Sequence, residues 1–238
     1  MHDAKPGLFV PDALSVFRGV FFKEKVKLRT GWIVLAALNL AVMARVFVHI
    51  RHLFRLDHAE IVWYRVMGLG HVPYDDFRYI PVFTGVAFAC LQFLPEMRGE
   101  RFRLSLHLPV PENTLIFAHL ISGLCGLAAI CLADAGALVW IMQQYFPRET
   151  VYVALITAAP WIVAGFTAYL GVTLALLEPS LKLRMGTLIL AGALAAPMLH
   201  DALPGAFAPS LPILCCVPLL LLLASLLPAY NFRHRRVE

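Results

Sequence analysis

The sequence predicts an all-α, polytopic membrane protein with about six transmembrane helices, an N-terminal interfacial helix and a short helix in one charged internal loop. Three observations predict it. Hydrophobic residues make up 60% of the 238 and charged residues only 15%, against about 25% charged in a soluble domain, and the mean hydropathy is +0.75. Apolar runs recur at lengths near the roughly 20 helical residues that cross a bilayer core of about 30 Å. Basic residues gather on one side of these runs when the chain is threaded through a membrane.

The elements follow in order. Met1–Pro11 is polar, and Asp12–Leu28 reads as a basic amphipathic helix. Pro11 and Asp12 suit its first turn. Leu14, Phe17, Phe21 and Leu28 share a stripe at helical spacing, with Arg18, Lys23, Lys25 and Lys27 mostly elsewhere. Such a helix lies along the inner leaflet; the competing reading is a plain charged collar on the first span. The first long apolar run starts only after Arg29, with basic residues directly before it, so a cleaved signal is not expected. Spans are expected at Gly31–Ile50, Phe77–Leu94, Thr114–Ile141, Val151–Leu177, Gly186–Leu199 and Leu211–Tyr230. The fifth reaches only about 21 Å at the helical rise, so Leu203–Pro209 is expected to make a partial re-entrant return shielded by protein. The resulting division is 1–30 for the amphipathic helix, 31–230 for the transmembrane domain and 231–238 for a basic tail.

Orientation comes from the cations. With the N-terminus inside, Lys5, Arg18, Lys23, Lys25, Lys27, Arg29, Arg98, Arg101, Arg103, Lys182, Arg184, Arg233, Arg235 and Arg236 are cytoplasmic. Arg45, Arg51, Arg55, Arg65, Arg78 and Arg148 are outside. This is the bias of the positive-inside rule, and it places the chain in the cell (inner) membrane with both termini cytoplasmic. The net charge of +5 is then topology. It is not a nucleic-acid footprint, because the basic residues are scattered and no aromatic stacking platform separates them.

Several chemistries are missing. The chain has no GxxxxGK[ST] phosphate cradle and no GxSxG, HExxH or CxxC, so no nucleotide, nucleophile or metal machinery is expected in it. Cys90, Cys125, Cys131, Cys215 and Cys216 lie in apolar runs, where Cys packs as a small hydrophobe. The adjacent Cys215 and Cys216 leave a redox pair as the sharper alternative. No enzyme activity and no cofactor bound by this chain are expected. Intramembrane charge is also sparse, which is thin for a self-powered carrier and suits one driven from a partner.

The most distinctive stretch is EMRGERFRLSLHLPVPENTLIFAHL, from Glu96 to Leu120. Within it Met97–Leu108 fits a short amphipathic helix, with Arg98, Arg101 and Arg103 facing a soluble partner and the leucines facing the bundle. Pro109 and Pro111 end it, and Asn113 is placed to cap the third span. The competing reading has these arginines snorkel into lipid headgroups.

On these residues the chain resembles the membrane subunits of ABC-2 type transporters. The order is similar throughout: the interfacial segment SVFRGVFFKEKVKLR, a first span, an outer loop, a second span ending in Glu, then a charged loop closing on Leu-x-Leu-x-Leu-Pro-Val. Glu96, Phe102, Leu104, Leu106, Leu108, Pro109 and Val110 fall on the family's pattern, while Arg103 stands where an acid is usual. The resemblance implies an exporter permease working by alternating access, with 96–112 as its coupling segment. It implies that Glu96, Arg98, Arg101, Phe102, Arg103, Leu106 and Pro109 dock an ABC ATP-binding subunit that carries the ATP. A second permease copy or paralogue would complete the pathway, embedded in membrane lipid.

Four further residues stand out. Asp134 and Arg45 are ionisable groups within spans and are candidates for the pathway; both fall in the outer half, where they are in range to pair. His49 and His52 sit one turn apart at the end of the first span, a spacing that admits a metal or haem. Interfacial anchoring is the plainer role for them. The histidine-rich outer side keeps open two alternatives: a haem-export or cytochrome-maturation subunit, and a non-catalytic membrane subunit of a respiratory complex. A membrane-embedded enzyme is disfavoured, because His119 and Asp134 lie about 22 Å apart along one helix.

Overall fold

The computed structural model describes residues 13–97, 112–178, 180–200 and 203–225. Among them every regular element is helical. In chain order these are α1 (Ala13–Leu56), α2 (Ala59–Trp63) running into a π turn at Tyr64–Gly68, α3 (Ile80–Met97), α4 (Glu112–Gln143), α5 (Arg148–Leu177), α6 (Leu181–Ala195) and α7 (Leu211–Ala224). Short 3₁₀ turns sit at Asp75–Phe77, Ala196–Leu199 and Ala208–Ser210. Five helical stretches are long and apolar enough to cross a membrane, the fifth being α6 with its 3₁₀ extension, Leu181–Leu199. The sixth expected run forms the shorter α7, 14 residues long; residues 226–230, with which that expectation ended, lie outside the described residues.

The first departure from expectation is α1. A separate interfacial helix followed by a span was expected, yet Ala13–Leu56 is one uninterrupted helix of 44 residues. That is about 66 Å of helix, more than the full thickness of a bilayer with its headgroups. Nothing in the sequence breaks it: there is no Pro between Ala13 and Leu56, and a single Gly costs a helix only about 1 kcal/mol. Its packed stripe also differs. Val20, Glu24, Leu28 and Leu35 are buried, while Phe21 is exposed, so the face read as lipid-directed is shifted by one residue.

Smaller boundaries also move: α3 runs three residues later than the expected Phe77–Leu94, and α6 starts at Leu181, five residues before Gly186. α4 begins at Glu112, which puts Asn113 inside the first turn instead of before it. The 203–210 segment forms a turn and a 3₁₀ turn held against α5, where the Gly205 amide donates to Thr157 Oγ1 at 2.9 Å.

The bundle is built from two parallel pairs. α1 and α4 meet at three successive levels: Glu24 with His119, Trp32 with the Gly126 carbonyl, and the Phe47 ring with Trp140. α3 and α5 pack at closer range. A Cβ on Gly165 would lie 2.6 Å from the Pro81 carbonyl oxygen, and one on Gly85 would collide with the Gly165 backbone. Small residues let helices approach this way, which is how apolar helices associate where lipid is as apolar as the side chains.

Apolar side chains form two stacked clusters. One holds Leu28, Leu35, Phe88, Phe93, Leu127 and Leu177 near the end where α3 stops and α4 starts. The other holds Met43, Ile50, Phe77, Leu138, Met142 and Trp161 towards the opposite end. The buried Asn39 and Thr84 lie between them, with Asn39 Nδ2 donating to Thr84 Oγ1 at 2.9 Å and to the Leu35 carbonyl at 2.8 Å. Asp134 falls at the same level of α4 by the register of the α1–α4 contacts.

The close crossing makes a sharp prediction. Gly165→Leu forces a side chain into the Pro81 backbone and is expected to cost about 1–3 kcal/mol as overpacking. Gly136, whose Cβ would meet nothing within 4 Å, is the matched control, and Gly136→Leu should stay within about 0.5 kcal/mol. Thermal unfolding of both in mild detergent checks this; equal midpoints would refute the crossing.

Candidate functional site

At the end of α3, four helices converge on a polar cluster set in an apolar wall. α1 supplies Lys23, Glu24 and Lys27. α3 supplies Gln92 and Glu96, four residues apart and so on one face. α4 supplies His119 and α5 supplies Tyr169. Glu24, Gln92, Glu96, His119 and Tyr169 are all buried.

Lys27 is the hub. Its ammonium has three donors, and the structure shows three acceptors: Glu24 Oε1 at 2.6 Å, the Gln92 carbonyl at 3.0 Å and Glu96 Oε1 at 3.0 Å. Lys23 reaches the same Glu96 oxygen at 3.0 Å from a position nearer solvent. His119 Nδ1 lies 3.2 Å from Glu24 Oε1. Gln92 carries the chain of bonds inward, donating from Nε2 to the His119 carbonyl at 2.8 Å and accepting from the Tyr169 hydroxyl at 2.7 Å. A Cβ on Gly123 would collide with both Tyr169 Oη and Gln92 Oε1, so this glycine keeps the Gln92–Tyr169 bond possible.

Two lysines balance two carboxylates, so the cluster is formally neutral before His119 is counted. One group stays open: Glu24 Oε2 is buried with no hydrogen-bond partner. The cluster offers neither an activated nucleophile nor a converging ligand set. Among the described residues no group of three or more His, Cys, Asp or Glu is placed to hold a metal ion. What the arrangement does chemically is bind four helices through directional, charge-assisted bonds.

The residues singled out from the sequence are distributed as follows. Glu96 sits inside the cluster, one residue before the segment that leaves α3. Arg98, Arg101, Phe102, Arg103, Leu106 and Pro109 lie outside the described residues. Asp134 is buried on α4, and its Oδ2 has no hydrogen-bond partner. Arg45 does not pair with it. Arg45 is exposed and holds Asp76, in the turn before α3, at 2.9 Å. His49 and His52 are exposed on the last turns of α1.

Comparison with known proteins gives no match, whether to a family model, to a curated protein or to a solved structure. The site is therefore read from its own geometry.

Six residues of the cluster escaped the sequence reading: Lys23, Glu24, Lys27, Gln92, His119 and Tyr169. Their signal was present but divided. Gln92 and Glu96 are a polar pair at helical spacing at the end of a span, and Glu24 is the one acid in a run of cations. Only the fold brings the two runs together. At the far end of the bundle a cavity of 440 Å³ is lined by Met67, His71, Tyr74, Glu149, Leu203 and Pro204 among others, and beside it Arg78 stacks over Trp161 at 5.7 Å and pairs with Asp75.

Removing Lys27 strips an ion-pair partner from two buried carboxylates. Lys27→Met is expected to cost about 3 kcal/mol or more, the usual penalty for breaking a buried pair from one side. Lys23→Met, at a half-exposed position, should stay within about 1 kcal/mol. Adding Glu24→Gln and Glu96→Gln to Lys27→Met should recover most of the loss. Denaturant unfolding of the four proteins checks the ranking, and a Lys23 effect as large as that of Lys27 would contradict it.

Proposed function

We propose that the chain is the permease subunit of an ATP-driven ABC-2 type exporter, moving its substrate by alternating access powered by a separate ATP-binding subunit. In this reading the polar cluster faces the cytoplasm, the chain lies in the cell (inner) membrane, and a second permease copy or paralogue completes the pathway. The observation that carries the reading is the place of Glu96. It is the last buried acid of α3, immediately before the segment that resembles the family's docking loop, and two lysines of α1 grip it.

The mechanical consequence follows from the bonds. A partner that closes on ATP and displaces the 98–111 segment moves the end of α3. Through Glu96 that motion reaches Lys23 and Lys27 on α1, and through Gln92 it reaches His119 on α4 and Tyr169 on α5. Four helices then tilt as one body, which is what rocking about a bundle interface requires. Asp134, a buried carboxyl about two thirds of the way along α4, is the residue assigned to the pathway, and Arg45 is left to its surface pair with Asp76.

Purification and transport measurements test the proposal. Purification of the tagged chain from its native membrane is expected to bring down an ATP-binding subunit, while the chain alone in proteoliposomes moves no solute; unaided transport would sink the reading. In the assembled complex, Lys23→Met with Lys27→Met should leave the ATP-binding subunit attached but lower transport per ATP hydrolysed severalfold. Asp134→Asn at normal membrane levels should reduce flux, and unchanged flux would remove Asp134 from the pathway.

A further inference from the structure

A groove of 530 Å³ runs along the outward side of α1 beside the polar cluster, within the 300–1,000 Å³ range of sites that hold small ligands. From Phe21 to Ile33 it extends about 18 Å along the helix. Its two ends differ in chemistry. Around Trp32, Ile33, Phe88, Cys125, Gly126 and Ala129 the wall is apolar, apart from the Trp32 indole N–H, which is already bonded to the Gly126 carbonyl at 3.0 Å. A Cβ on Gly126 would stand 2.7 Å from the Phe88 ring, so the glycine leaves room for that ring to form the floor.

Along the half nearer Phe21 stand Lys25 and Arg29, one helical turn apart and both exposed, with the apolar Phe21 and Leu28 beside them. Neither has an acidic partner among the described residues. The nearest acid in the lining, Glu24, is fully buried and already held by Lys27 and His119, so it does not cancel the rim charge. The two cations directly precede the long apolar run of α1, the position at which basic residues flank a membrane span. Trp32 lies at the boundary, where amphipathic aromatic rings settle.

We propose that this groove is a binding site for one anionic phospholipid of the adjoining leaflet, with its phosphate on Lys25 and Arg29 and an acyl chain along Trp32, Phe88 and Ala129. Charge complementarity selects this occupant: a rim of two unpaired cations attracts a net negative headgroup, at about 1 kcal/mol per basic residue near a membrane surface, and the apolar end requires a tail. A soluble anion meets the first condition only. The proposal depends on α1 lying in a bilayer and is independent of the exporter reading.

The test is native mass spectrometry on the full chain, purified, delipidated and titrated separately with phosphatidylglycerol and phosphatidylcholine of identical acyl chains. Phosphatidylglycerol is expected to be retained about tenfold or more tightly, the scale set by one to two surface charges. Lys25→Gln with Arg29→Gln should erase that preference. Ala129→Phe, which fills the apolar end and keeps both charges, should weaken retention of both lipids. Lys182→Gln, an exposed cation on α6 away from the groove, should leave the preference intact. Equal binding of the two lipids by the parent chain overturns the proposal, and so does a preference that survives the double substitution. Thermal unfolding matched to the parent shows that each variant is folded.

Discussion

The position of α1 against the rest of the bundle depends on how Lys27 is satisfied. An ammonium in an apolar wall is tolerated only when its donors are occupied and its charge is met, and here all three donors have acceptors on two helices. The bonds are directional. Turning α1 by one residue rotates Lys27 through about 100°, away from Glu96, and leaves that carboxylate without its lysines, while Glu24 turns with Lys27 on the same helix. The helix keeps its phase from this polar segment into its apolar run, so that Lys23 and Lys27 meet α3 while Glu24 meets His119 of α4. A break near Gly31 would release the phase.

From this hub the structure passes from ionic to neutral and then to purely steric contacts. Gln92 exchanges the hub's charge for amide bonds to His119 and Tyr169. Higher along the bundle, the buried Asn39–Thr84 pair bridges α1 and α3 between the two apolar clusters, and the α3–α5 crossing at Gly85 and Gly165 closes by shape alone. Each link joins two different helices. Together they convert two parallel helix pairs into one body, and in a solvent as apolar as the side chains such links are what give a bundle one register.

The apolar runs made the fold legible in the sequence, because length and hydropathy report directly on what a bilayer accepts. α4 and α5 match their expected cores, with ends a few residues longer where polar side chains are carried by an already formed helix. The unbroken α1 was not legible. A change from charged to apolar composition at Arg29 marks a change of surroundings, and it was read as a change of direction; a helix crosses such a boundary at no cost to its backbone. Glu96 was legible as a special acid because it closes a span. Its partners were not, since Lys23 and Lys27 belong to a run that looks fully solvated, and only the contact of α1 with α3 turns two of those cations inward. The Arg45–Asp134 pairing failed for the same reason in reverse. Asp76, in a turn with no periodicity to read, reaches Arg45 first.

The two ends of the bundle are fastened by different physics. At the hub end charged, discrete bonds stand beside the apolar cluster, with two lysines on one Glu96 oxygen. At the far end ring contacts stand beside the Arg45–Asp76 and Arg78–Asp75 pairs: Phe54 is stacked on Tyr145 at 5.0 Å and edge-on to Phe146 at 5.5 Å, and Tyr74 and Phe77 lie against Trp161. Ring contacts of this kind keep much of their energy over a range of offsets and angles, whereas charge-assisted bonds are lost within about an ångström. On the exporter reading proposed above, the bundle would tilt about the ring contacts at the far end as the charge-assisted bonds at the hub are reset. On that reading, a partner acting where α3 ends meets the bonds around Lys27, which depend most on geometry.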